Sequence, residues 1–211
     1  MTRLKNQAFL LIFFSFFVSS KYTFANLTCY SVKGIIIKFL KEHYSLKDFD
    51  NDFSKKVLEE YTNFLDPAKA IFLEKERADL IKLYSPTLRA NILKGDCSPI
   101  QKVYEVYSRK LEKRYKEIKK FFRKNFDYSK DEYLDLGRRK KGYFKKEEDL
   151  EDYWRKRCKL ELMRRQKYSK KKDDLEKAKQ RIIKRYLRFY KQHVKRKDYY
   201  PFEAFLDSVG R

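Results

Sequence analysis

Glycine and proline are scarce in this chain of 211 residues, at five and four. A β-sandwich or barrel needs many tight turns, which these residues supply, so the scarcity speaks for helices. Histidine occurs twice, at His43 and His193. One histidine at each of two distant positions is poor material for a metal site or a proton relay. The chain has no GxSxG elbow, Walker loop or Rossmann fingerprint, so the common hydrolase and nucleotide-binding signals are missing. Serine and lysine are plentiful, and composition alone leaves a Ser-Lys pair open. Nothing marks one serine as held beside a desolvated lysine, which that chemistry needs. No residue is therefore assigned to catalysis, to a cofactor or to a metal. The three cysteines, Cys29, Cys97 and Cys158, show neither CxxC nor metal spacing. In an exported chain they allow at most one internal disulfide and leave one thiol over. We read all three as ordinary small core or surface residues.

What is abundant is apolar, aromatic and basic. Apolar residues make up 42% and aromatics 17%, enough for a core despite 39% charged residues. The length suits one domain, or one with a tail. The net charge of +23 is unevenly placed: residues 26–100 carry +1 and residues 101–200 carry +20. Such asymmetry suits a polyanionic partner: nucleic acid, anionic lipid or a cell-wall polymer of the envelope. The plainer account is compositional, because Lys, Phe, Tyr and Ile rise together in proteins of AT-rich genomes. The run Arg138–Lys141, with Tyr143 and Phe144 beside it, has the residues to grip phosphates and stack on bases. Arg181, Lys184, Arg185, Arg188 and Lys191 share one helix with an apolar stripe, which reads more simply as a solvated basic face.

Met1–Ala25 has the form of a secretory signal. Arg3 and Lys5 are followed by the apolar run Ala8–Val18, short of the roughly 20 residues a membrane span needs. Thr23 and Ala25 fit the −3 and −1 positions of a cleavage site, so the mature chain is expected to start at Asn26. Export counts against nucleic acid as the biological partner.

Beyond the signal, apolar residues recur at spacings of three and four. Residues 27–44 predict a first helix with Ile35, Ile36, Phe39 and Leu40 inward. Phe49, Phe53, Val57, Leu58, Tyr61 and Leu65 predict a second, capped by Ser45 or Asp48 and stopped before Pro67. A third piece spans about 74–84. Ser85-Pro86 reads as the start of a separate helix over 86–94, ended by Gly95. Ser98-Pro99 opens the longest helix, to about Arg123, with the stripe Ile100, Val103, Tyr107, Leu111, Tyr115, Ile118 and Phe122. Residues 127–146 show no clear period and read as an irregular connection. Leu150, Trp154, Cys158 and Leu162 set a helix over 147–166. The next helix starts at Ser169 or Asp173, runs to about Arg196, and carries Leu175, Ala178, Ile182, Tyr186, Phe189 and Tyr190. A short helix from Pro201 to Ser208 has Phe202, Phe205, Leu206 and Val209 on one face. The expectation is an all-α, non-repetitive array of about seven amphipathic helices after a cleaved signal peptide, with residues 26–211 as one helical domain.

The order His43-Tyr44, an acidic helix start, Tyr61-x-x-x-Leu65-Asp66-Pro67 and Phe72-Leu73 resembles the N-terminal region of tail-specific proteases, also called carboxy-terminal processing peptidases. The likeness continues in Lys94-Gly95-Asp96, in the Tyr-rich helix from Ile100, in Phe126-Asp127-Tyr128 and in Leu150–Arg157 (LEDYWRKR). It covers roughly residues 36 to 207. The resemblance implies a helical region that frames a PDZ domain and a Ser-Lys protease core in the periplasm, and that can dock a lipoprotein adaptor. In that family an Asp-Pro-His-Ser/Thr segment leads into the catalytic part; here Asp207 is followed by Ser208-Val209-Gly210-Arg211. The implied role is a non-catalytic scaffold or interaction module, with a truncated or split family member as the origin. The rival is a free-standing basic exported protein that binds anionic polymers. The last helix is expected to bury part of its apolar face on a neighbour outside this chain.

Overall fold

A computed structural model describes residues 27–43, 48–166 and 172–210. The expected signal over 1–25 and the expected helix starts at Ser45 and Ser169 lie outside the described residues. Those residues form seven α-helices: α1 (Cys29–Glu42), α2 (Asn51–Leu65), α3 (Glu74–Lys94), α4 (Ser98–Arg123), α5 (Glu147–Gln166), α6 (Lys172–Lys195) and α7 (Tyr200–Val209). The all-α, non-repetitive architecture is as expected from periodicity. None of the described helices is long and apolar enough to cross a membrane.

Helix α4 is the spine, and its 26 residues extend roughly 39 Å at 1.5 Å each. It packs against α3, α5, α6 and α7, and α6 follows it from Tyr104 to Tyr115. Its expected stripe is buried, except that Tyr115 is half-covered and stacks on Tyr190 with ring centroids 5.7 Å apart. Arg114 breaks the pattern: it sits on the stripe, between Leu111 and Ile118, yet is only 1% exposed. Its guanidinium lies 2.7 Å from Glu117 on the same helix and 2.5 Å from Glu147 at the start of α5. A buried charge needs such partners, because desolvation otherwise costs several kcal/mol.

The helix starts differ in detail from expectation. Asp50, not Asp48, caps α2, accepting the Phe53 N–H at 2.7 Å. Asp48 instead accepts its neighbour's N–H and pairs with Arg89. Helix α4 begins at Ser98 with Cys97 in the cap position, and Asp96 accepts the Ser98 N–H and Oγ–H. In α1, Val32 and Ile36 are buried against α3 and α7, whereas Ile35 faces solvent, so the helix buries only a narrow stripe.

The break expected at Ser85-Pro86 is absent, and α3 runs through it. Ile81, Ser85, Leu88 and Ile92 form one buried row across the proline, while Pro86 itself lies on the exposed side. An interior proline costs about 3 kcal/mol. Fully burying Leu88 and Ile92 against that gives roughly 1.5–3 kcal/mol each, so continuity wins. Gly95 ends α3 at φ 80, the left-handed position expected of it.

Two long-range features correct the sequence reading. Cys29 and Cys97 are joined in a disulfide that pins the start of α1 to the start of α4, their Cα atoms 5.6 Å apart. They are therefore not ordinary small residues, although Cys158 is one, a free buried thiol. Helix α7, expected to bury part of its apolar face on a neighbour, packs most of that face on this chain's own core. Phe205 is fully buried and meets Tyr61 of α2 edge-on at 5.7 Å, and Tyr61 Oη donates to the Ile100 carbonyl. Phe202 and Val209 are buried with it.

Between α4 and α5 the chain holds only a short 3-10 turn at Arg138–Lys140. Leu73 and Phe144 form a single parallel bridge, and the Glu74 N–H donates to the Phe144 carbonyl at 2.8 Å. Glu132 ties the connection to α5 through Arg155 and Lys159.

Candidate functional site

A crevice opens over the loop that joins α2 to α3. Leu65-Asp66-Pro67 ends α2, and the chain then turns through Lys69, whose φ of 51 is left-handed. Asp66 organises the turn. Its carboxylate, 2% exposed, accepts the N–H groups of Ala70, Ile71 and Phe72 at 2.9, 2.8 and 3.1 Å. Burial pushes this carboxyl above its ordinary range, and the three N–H groups and the charge of Arg138 pull it only part of the way back. Trp154 of α5 closes over the loop, donating Nε1–H to the Ala70 carbonyl at 2.7 Å. The cavity left above them measures about 270 Å³. Its floor is Ala70, Ile71 and Tyr107, and α5 and α6 wall it with Trp154, Tyr186 and Phe189.

Two arginines stand at this cavity. Arg157 lies over the Trp154 ring at 5.2 Å, and Arg185 over the Tyr186 ring at 5.1 Å. Glu161 serves both: it bonds Arg185 and the Tyr186 hydroxyl, and its carboxylate is 3.7 Å from Arg157 Nε. Cys158, on the same turn of α5, is fully buried, and burial pushes its thiol well above the ordinary range. It is a packing residue with no accessible thiolate. Phe189, expected inward, is 45% exposed at the cavity edge.

The remaining candidates have structural work. His43 is the C-cap of α1, its N–H donating to the Phe39 carbonyl and its ring against Phe39. His193 packs against Tyr107, Phe189 and Tyr200, and burial lowers its pKa. Among the described residues no group of three metal-ligating side chains converges. Two members of the basic run are engaged, Arg138 stacking on Phe144 at 3.8 Å and Lys141 pairing with Asp135, while Arg139 and Lys140 are exposed. The Tyr143 ring meets Arg77, and its hydroxyl bonds Asn63. These aromatics are not free to stack on bases. Arg181, Lys184, Arg188 and Lys191 of α6 are exposed, as a solvated basic face requires.

Sequence reasoning marked Trp154, Tyr186 and Asp66 individually but did not bring them together. They come from three segments spread over 120 residues, and periodicity orients each helix without saying which helices meet. The one available signal was the clustering of Arg157 and Arg185 on faces that also carry aromatics.

Residues 35–211 match a family model described as the tail-specific protease N-terminal domain. A curated tail-specific protease of Haemophilus influenzae (strain ATCC 51907 / DSM 11121 / KW20 / Rd) is 24% identical over 133 residues. That alignment takes in 63% of this chain and 19% of the relative, so the chain spans about a fifth of that protein's length.

Proposed function

Since the chain belongs to the tail-specific protease N-terminal domain family, we propose that it serves as the helical scaffold and interaction module of such a protease and does not itself cleave peptide bonds. The observation that carries this reading is the extent of the match: residues 35–211, all of the helical body but the first turns of α1, correspond to a domain that accounts for a minor part of the Haemophilus relative. The partners that fit are the PDZ–protease core of the same enzyme and a lipoprotein adaptor. The working compartment is the periplasm. The Cys29–Cys97 bond supports that placement, because structural disulfides persist in oxidising compartments.

The test is a hydrolysis assay with the purified chain and an unfolded protein that ends in nonpolar residues. No cleavage is expected. Cleavage that survives repurification, and that disappears when one of the chain's own serines is replaced, would refute the reading.

A further inference from the structure

We propose that the crevice over the Asp66 loop is a binding site for a small apolar carboxylate: one ring or short alkyl group bearing a single acid group. The size comes from the cavity. At about 270 Å³ it exceeds the roughly 150 Å³ that accepts benzene and falls just below the range of drug-sized pockets. The apolar half of the ligand is set by Ala70, Ile71 and Tyr107 below, with Trp154 beside them. Phe189, 45% exposed, adds an aromatic edge that the protein only half covers.

The sign of the charge follows from the mouth. Two guanidiniums, Arg157 and Arg185, share one carboxylate, Glu161, which leaves one positive charge over. Asp66 does not offset it: that carboxyl is turned to three backbone N–H groups and is 2% exposed. Aromatic walls beside an acid can also suggest a cage for a quaternary ammonium. Here the Trp154 and Tyr186 faces already carry Arg157 and Arg185, so a cationic ligand would meet like charge. Planar arginine forks suit a carboxylate, which they can hold through paired hydrogen bonds. The crevice would take such an acid whether or not the domain docks on a protease, and failure of the hydrolysis test leaves this site untouched.

Trp154 is the chain's single tryptophan, so its emission reports on the crevice directly. The intact chain is titrated with 3-phenylpropionate, with the uncharged 3-phenylpropionamide and with octanoate. For ligands of about ten heavy atoms, half-saturation at or below about 1 mM is expected for an acid. The amide should bind at least tenfold more weakly. Preference for phenylpropionate assigns the site to aromatic acids, and preference for octanoate assigns it to lipid-derived ones. Arg185→Gln, at a half-exposed position, should weaken the acid at least tenfold while leaving the melting temperature unchanged. The proposal is overturned if neither acid gives a saturable change up to about 10 mM, if the amide binds as well as the acid, or if folded Arg185→Gln binds as tightly as the parent.

Discussion

Replacing Phe205 by alanine tests whether α7 belongs to this domain's own core. The ring is fully buried, sits edge-on to Tyr61 and lies between α2 and α4. Phe-to-Ala changes in packed cores cost about 3–5 kcal/mol, from lost transfer energy plus the cavity left behind. Here the edge-on aromatic contact adds about 0.5–1.5 kcal/mol. Tyr61 has its hydroxyl fixed on the Ile100 carbonyl, so it cannot swing in to fill the gap, which places the loss at the upper end. For a domain of this size each kcal/mol moves the melting temperature by about 2–4 °C, so a fall of about 10–15 °C is expected by calorimetry. Leu206→Ala, at a half-buried position on the same helix, should lose less than half as much. The sedimentation coefficient of the parent should already be that of a monomer as far as α7 is concerned. A fall below about 2 °C, together with loss of self-association in Phe205→Ala, would refute the packing described and restore the view that this face docks elsewhere.

The double variant Cys29→Ser, Cys97→Ser opens a loop of sequence separation 68, for which chain entropy predicts a loss of roughly 4 kcal/mol. Dithiothreitol should lower the parent to the variant's melting temperature and leave the variant unmoved. Asp66→Ala strands three buried N–H groups, each costing about 1–3 kcal/mol, so urea unfolding should show a loss above about 3 kcal/mol; a smaller one would mean that water reaches the turn. Hydrogen bonds from Arg155 and Lys159 hold the Glu132 carboxyl at about 2, below its ordinary value. A depressed acid contributes stability that is present above its unfolded pKa and is lost as pH falls through the folded one. The parent should therefore melt above Glu132→Gln at pH 7, and the gap should close between about pH 4.5 and 2; a gap that is constant with pH would remove the linkage. Amino-terminal sequencing of the envelope fraction should begin at Asn26, and an intact Met1 would rule out cleavage.

The sequence alone determined most of the helices and most of their inward faces. Spacings of three and four, from Phe49 to Leu65 or from Ile100 to Phe122, can bury an apolar stripe only as a helix, and the stripe names the residues that go inside. The order of short motifs also pointed to the protease family before any packing was known. Sequence had less to say where a local rule competed with a distant partner. Pro86 is a sound stop signal by itself, and only the row from Ile81 to Ile92 against α2 overrides it. Arg114 reads as surface until Glu147 arrives from another helix to neutralise it. Cys29 and Cys97 have no pairing signal in their spacing, because the chain between them must fold before their sulfurs meet. The crevice is the extreme case: Asp66, Trp154 and Arg185 are each legible as a turn, a stripe member and a basic face. Their meeting is decided by which helix faces pack together, a choice governed by shape and burial across the whole core and carried by no single stretch of chain.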